Sequence, residues 1–265
     1  MLLEDRVCVV AGVGPGLGRK VALALAGHGA DVVLAARRDE VLRNVAQEVE
    51  AAGRRALVLP TDVTEAAQCE ALAAATVREF GGVDVLVNNV FAADVYKTFR
   101  RVELDDWRRL VDVNLFGPLQ VTKAFIPHMQ EHQSRHVAQR TSIVFVNSMA
   151  VRKPRPQEGG YTVAKAGLLS AASVLAKELG RHRIRVNSVL PGWMWGPQVE
   201  QYVDFLASHR AVDRSEIIDE ITKEIALGVI PTDEQVAGCV VFLASDLSTA
   251  VTGHALDANG GEVCV

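Results

Sequence analysis

The chain has 265 residues, 49% of them hydrophobic, and a formal net charge of -4. That size suits one large α/β domain or two small ones, with ample apolar material for a core. An acidic balance with no Lys/Arg stripe excludes a nucleic-acid binder, and the longest apolar runs fall short of the roughly 20 residues that span a bilayer.

The first five residues carry no basic n-region or apolar h-region, so no secretory signal is read and a cytoplasmic protein is expected. Residues 6–11 form a β-branched run of the kind found in buried parallel strands. Gly12-Val13-Gly14-Pro15-Gly16-Leu17-Gly18 follows and opens a helical pattern over residues 16–28. Next come a strand at 31–36, a helix at 39–52, a strand at 55–60, a helix at 65–80 and a strand at 83–88. One long helical pattern then covers 104–130, and the polar stretch 131–140 reads as a surface loop. A strand at 141–147, a helix at 162–180 and a strand at 183–190 complete the rhythm. Strands alternating with helices imply right-handed βαβ units and a parallel sheet covered on both faces. No repeat or Pro/Gly-rich linker divides the chain, so residues 1–265 read as a single domain. The segment 192–230 breaks the rhythm, carries Trp193, Trp195, Tyr202 and Phe205, and starts at the carboxyl edge of the sixth strand. It is the candidate substrate lid, because open α/β sheets bind ligands at that edge.

Four scattered cysteines, Cys8, Cys69, Cys239 and Cys264, have no C-x-x-C or paired-His spacing; they read as reduced thiols, and no metal site is expected. The glycine-rich turn between strand and helix lets the backbone approach a pyrophosphate, which the helix N-terminus would hold. The second strand ends Ala35-Ala36-Arg37-Arg38. An acid that would bind a ribose 2′-hydroxyl is missing there, and guanidinium groups suited to a 2′-phosphate take its place. A preference for NADP(H), with NAD(H) possible, is therefore expected.

Tyr161 and Lys165 are four residues apart at a helix start and share a face. A cation beside the phenol favours the phenolate and would bring Tyr161 towards acid/base work. Ser148 follows the fifth strand, where its hydroxyl can hold a substrate oxygen against Tyr161.

With these residues in this order, the whole chain resembles the short-chain dehydrogenase/reductase family. The glycine turn is similar to that family's T-G-x-x-x-G-x-G, with Ala11 in place of Thr. Asp62-Val63 matches the pair that contacts adenine. Asn88-Asn89 matches the start of N-N-A-G, from which Val90-Phe91 depart. Asn114, Ser148, Tyr161 and Lys165 match the catalytic tetrad, Pro191-Gly192 follows the sixth strand, and residues 251–257 resemble the segment that forms a seventh. The resemblance implies a Rossmann-type doubly wound, mainly parallel seven-stranded sheet. It also implies a hydride-transferring oxidoreductase that interconverts a secondary alcohol and a ketone. Tyr161 would exchange the proton, Lys165 would lower its pKa and hold the nicotinamide ribose, and Asn114 would position a relay water. Gly12, Gly14, Pro15, Gly16, Leu17, Gly18, Arg37, Arg38, Asp62, Val63, Asn89, Pro191, Gly192 and Met194 would join Tyr161 and Lys165 around the cofactor. Val189 falls where a backbone contact to the carboxamide is expected. Phe91, Ser148, Trp193, Trp195 and Tyr202 are the candidate substrate residues, for a hydrophobic small molecule. A homodimer or homotetramer is implied. Two alternatives stay open: a cofactor-binding sensor or scaffold without turnover, and a lyase or epimerase that uses the cofactor transiently.

Overall fold

A computed structural model describes residues 1–135 and 141–265. Seven parallel strands lie in the order β3-β2-β1-β4-β5-β6-β7. They are β1 (Val7–Ala11), β2 (Asp31–Ala36), β3 (Ala56–Pro60), β4 (Val85–Asn88), β5 (Ser142–Val146), β6 (Arg185–Pro191) and β7 (Ala255–Ala258). The chain leaves β1 in one direction through β2 and β3, then returns to place β4 on the other side. The crevice between β1 and β4 is thus the topological switch point, where such sheets bind ligands.

Alternation along the strands sends side chains to two cores. Cys8, Val10, Val32, Leu34, Val85 and Val87 face α1 (Leu17–Gly27), α2 (Asp39–Ala51) and α9 (Asp233–Ala244). Val9, Val33, Leu86, Ile143 and Phe145 face α3 (Ala66–Phe80), α5 (Gly117–Arg135) and α6 (Gly159–Gly180). The central strands are apolar on both sides because both sides are covered. Within the segment 192–230, α7 (Pro197–Arg210) and α8 (Arg214–Thr222) enclose a small core of Val203, Ala207 and Ile217.

Two expectations are corrected. The helical pattern over 104–130 is broken: α4 (Leu104–Val111) runs into a π-helical turn at Asp112–Phe116 before α5 begins. The buried Asn114 causes the break, since its amide nitrogen donates to Leu110 O at 3.1 Å and Ala92 O at 3.0 Å, and its Oδ1 accepts from Ala92 N at 2.9 Å. Such turns concentrate at functional sites. The loop expected over 131–140 does not begin at residue 131, because α5 continues to Arg135. Arg135 pairs with Glu131 one turn back at 2.6 Å, and buried Gln133 accepts from Thr141 N at 2.8 Å. The remainder of that expected loop, 136–140, lies outside the described residues.

Candidate active site

The turn between β1 and α1 owes its shape to glycine at two positions. Gly12 has φ +99°, and a Cβ there would stand 2.5 Å from Asn89 O; a Cβ on Gly18 would stand 2.5 Å from Gly12 O. Gly14 meets nothing within 4 Å, so the outer side of the turn is open. Pro15 is exposed at the tip, while Leu17 is buried beneath it. The amides of Leu17 and Gly18 at the start of α1 have no intrahelical acceptors, whereas Arg19 N donates back into the turn, to Gly14 O and Gly16 O, each at 3.1 Å. Across the switch point, Asn89 Nδ2 donates to Gly12 O at 2.8 Å, joining the turn to the end of β4. A cradle in which Gly12 and Gly18 cannot be replaced without backbone collision, opening on a helix N-terminus, fits a dinucleotide pyrophosphate.

At the tip of β2, Arg37 and Arg38 are exposed, and neither makes an ion pair among the described residues. Arg19, the other arginine of this corner, is committed to Glu48 through its Nε at 2.8 Å and its Nη2. Asp62 uses Oδ1 to accept from Thr64 N at 3.0 Å and Thr64 Oγ1 at 2.7 Å. These bonds, with the field of Arg37, hold its carboxyl below the usual range. Val63 is buried, and its Cγ2 would lie 2.6 Å from a Cβ on Gly117, so only its backbone remains for a ligand. On the opposite flank, Gly192 follows β6 tightly against Asn259, and Met194 packs on the core under α1 and α9. Val189 is wholly buried inside β6, and its carbonyl accepts from Asn147 N at 2.8 Å. It stands two residues before Pro191, which ends β6.

Ser148, Tyr161 and Lys165 converge beside this crevice. Ser148 Oγ accepts from Ala150 N at 3.1 Å, which turns the chain after β5. Lys165 is buried, and its Nζ donates to Val146 O at 2.9 Å and Val90 O at 3.2 Å, with the Tyr161 ring centroid 5.8 Å away. Burial pushes the Lys165 ammonium down to about 7. Burial also pushes Tyr161 up to about 12; hydrogen bonding with Ser148 opposes this, and Glu158 and Tyr96 add to it. In the chain by itself desolvation is the largest influence on the phenol. The phenol is therefore protonated at neutral pH, the form that donates to a carbonyl oxygen.

The strap after β4 reaches Tyr161, Lys165 and Asn114. Val90 O receives Lys165, the Phe91 ring meets Tyr161 edge-on with centroids 5.6 Å apart, and Ala92 N and O engage the Asn114 side chain. Asp94, which sequence reasoning missed, accepts from Tyr161 N at 2.9 Å through Oδ2.

A cleft opens from Ser148. Its inner end, about 70 Å³, lies among Met149, Glu158, Gly192 and Trp193, and an outer chamber of about 300 Å³ extends beneath α7 and α8. Lys153, Arg155 and Trp193 border both. Trp193 is sandwiched, with Tyr202 stacked at 5.5 Å and the Arg155 guanidinium 4.3 Å from its centroid. Trp195 is not part of this wall. Two residues on, it bridges to Thr232 and packs on the Val203–Ile217 core. Phe205 stacks on His209 at the surface. Lys153, Arg155 and Glu158 were not singled out from the sequence; their place between Ser148 and Tyr161 was the available signal. Among the described residues, no cluster of His, Cys, Asp or Glu could hold a metal ion, and no helix is long and apolar enough to cross a membrane.

A family model described as enoyl-(acyl carrier protein) reductase matches residues 12–262. The chain is 32% identical over 264 residues to the 3-oxoacyl-(acyl-carrier-protein) reductase of Thermotoga maritima, covering 99% of this chain and 100% of that one. Carveol dehydrogenase from Mycobacterium avium, solved in complex with NAD, superposes with a TM-score of 0.90 at 26% identity, with 98% of each chain covered. An actinorhodin polyketide ketoreductase variant solved with NADPH gives a TM-score of 0.88 at 30% identity over 97% of each chain. The chain belongs to the short-chain dehydrogenase/reductase family and is a nicotinamide-dependent oxidoreductase of CH–OH and carbonyl groups.

Proposed function

We propose that this enzyme is an NADP(H)-preferring ketoreductase or alcohol dehydrogenase for a hydrophobic, ring-containing secondary alcohol or ketone. The convergence of Ser148, Tyr161 and Lys165 at the inner end of the cleft carries the reading. Gly12, Gly14, Pro15, Gly16, Leu17 and Gly18 hold the pyrophosphate, with Asn89 bracing the turn. Arg37 and Arg38 take the 2′-phosphate, Asp62 and the backbone of Val63 border adenine, and Pro191, Gly192 and Met194 border the nicotinamide. When bound, the nicotinamide supplies or accepts the hydride. Ser148 holds the substrate oxygen, and Tyr161 gives it a proton on reduction or removes one on oxidation. Lys165 would hold the nicotinamide ribose beside the phenol, and Asn114, in the π-helical turn, would position a water that relays the proton through Lys165. Excluding water from this pocket strengthens each of these polar contacts.

The Trp193–Tyr202 stack and the half-exposed Phe91 support an apolar, ring-bearing substrate, with segment 192–230 as its lid. That the structural neighbour from M. avium is named for carveol agrees with this choice. Exposed Phe116, Val163 and Val174 on and beside α5 and α6 support a homodimer or homotetramer assembled through those helices. Steady-state oxidation of NADPH and of NADH against ketones graded in ring content tests the reading. Higher kcat/KM with NADPH and with bulky cyclic ketones is expected. Equal use of NADH, or activity confined to small polar sugars, contradicts it.

A further inference from the structure

We propose that Asp94 is a positioning residue for Tyr161, setting the phenol against Ser148 and Lys165 through the main chain of α6. The proposal rests on the reading of Tyr161 as the proton donor.

Helix α6 has no cap of its own. Glu158 stands at its N-cap position and makes no side-chain capping bond. Gly159 and Gly160 come next, so the two residues before Tyr161 have no side chains and wide backbone freedom. Asp94 supplies what is missing from 67 residues away in sequence. Its Oδ2 accepts from Tyr161 N at 2.9 Å, and its Oδ1 accepts from Val95 N at 2.7 Å. Both oxygens are used, and the residue is only 7% exposed. A carboxylate on the first turn of a helix gains from the helix dipole as well as from a charge-assisted bond.

The bond ends on the reacting residue itself. Losing it releases the tyrosine backbone at the turn from which the phenol projects, with two glycines behind it. Phe91 bears on the same ring from the same strap. Because reacting groups lose up to about 100-fold in rate for a misplacement near 1 Å, a small rotation of this turn reaches kcat without touching the cofactor cradle.

The test compares wild type with Asp94→Ala, which deletes both acceptors, and Asp94→Asn, which removes the charge but keeps an acceptor oxygen. Turnover is measured with NADPH and a cyclic ketone, and NADPH affinity by fluorescence. In protein labelled at tyrosine nitrogen, only three amides need be followed, because the chain has three tyrosines. In Asp94→Ala, kcat is expected to fall about tenfold or more, with KM and NADPH affinity within about twofold. Its Tyr161 amide should lose its hydrogen-bonded shift and exchange protection. Asp94→Asn should restore both. If Asp94→Ala does not fold, Asp94→Ser, whose oxygen falls short of Tyr161 N, takes its place. Unchanged kcat in the acceptor-free variant overturns the proposal, as does loss of NADPH affinity in step with kcat, or an Asn variant no better than Ala. A wild type that binds NADPH but reduces no ketone defeats the reading of Tyr161 as proton donor. The amide comparison then still decides whether Asp94 holds Tyr161.

Discussion

Asn89 donates to the carbonyl oxygen of Gly12 across the gap between β4 and β1, at 2.8 Å. The bond closes the floor of the crevice and leaves no room above Gly12, where a Cβ would lie 2.5 Å from Asn89 O. Gly12 also sits at φ +99°. Substituting Gly12→Ala therefore combines backbone strain with collision. We expect a loss of about 1–3 kcal/mol in stability, read by denaturant titration, together with loss of NADPH binding read by fluorescence. Gly14→Ala, with open space around it, should leave stability unchanged.

The proposed preference for NADP(H) rests on Arg37 and Arg38 at the end of β2, which make no ion pair among the described residues. A charge-assisted bond contributes about 1.5–3 kcal/mol, so Arg37→Ala should weaken NADPH binding about tenfold or more. NADH affinity should be unaffected. Parallel titrations with the two nucleotides check this, and equal losses for both would remove Arg37 from the 2′-phosphate.

Lys165 makes stability depend on pH. In the unfolded chain it titrates near its ordinary 10.5, whereas in the fold it titrates at about 7. Between those values the unfolded state holds a proton that the folded state has released. Stability from this group is therefore complete only above the unfolded value and is lost as pH falls towards 7. Raising the pH from 7 to about 8.5 should raise the stability of wild type relative to Lys165→Met, by roughly 1.4 kcal/mol for each unit of pH across the window. Cys8, Cys69 and Cys239, whose thiols are pushed upward by burial, contribute equally to both proteins and cancel. Parallel urea titrations at the two pH values measure the difference.

Trp193 is held between Tyr202 and Arg155 on the shelf of the cleft. Trp193→Ala should lower kcat/KM for a bulky cyclic ketone about tenfold and leave a small acyclic one within about threefold. Equal losses for both ketones would assign Trp193 to the stability of segment 192–230.

Much of this was legible in the chain. The β-branched runs marked the first six strands to within a residue or two, because strands buried on both faces have no polar alternation to disguise them. The glycine turn, Ser148, Tyr161 and Lys165 were legible because their chemistry depends on local order along β1, β5 and α6. Contacts between distant segments were not. Asn114 breaks a continuous helical pattern only because Ala92, 22 residues earlier, takes its amide. Asp94 lies in a strap with no regular period, and its partner is on another helix. Trp193 and Trp195 look alike in sequence. An extended run would put residues two apart on one side; the bend at Trp193, after β6 has ended, sends one to the cleft and the other to the core with α7.

The most direct measurement is single-turnover oxidation of bound NADPH by a hydrophobic cyclic ketone, in wild type and in Tyr161→Phe. The phenylalanine keeps the ring against Phe91 and removes only the hydroxyl. NADPH affinity should be unchanged and the hydride-transfer rate should fall by about 10²–10⁴. A Tyr161→Phe enzyme that oxidises NADPH at the wild-type rate would contradict the account, because the proton would then come from another group.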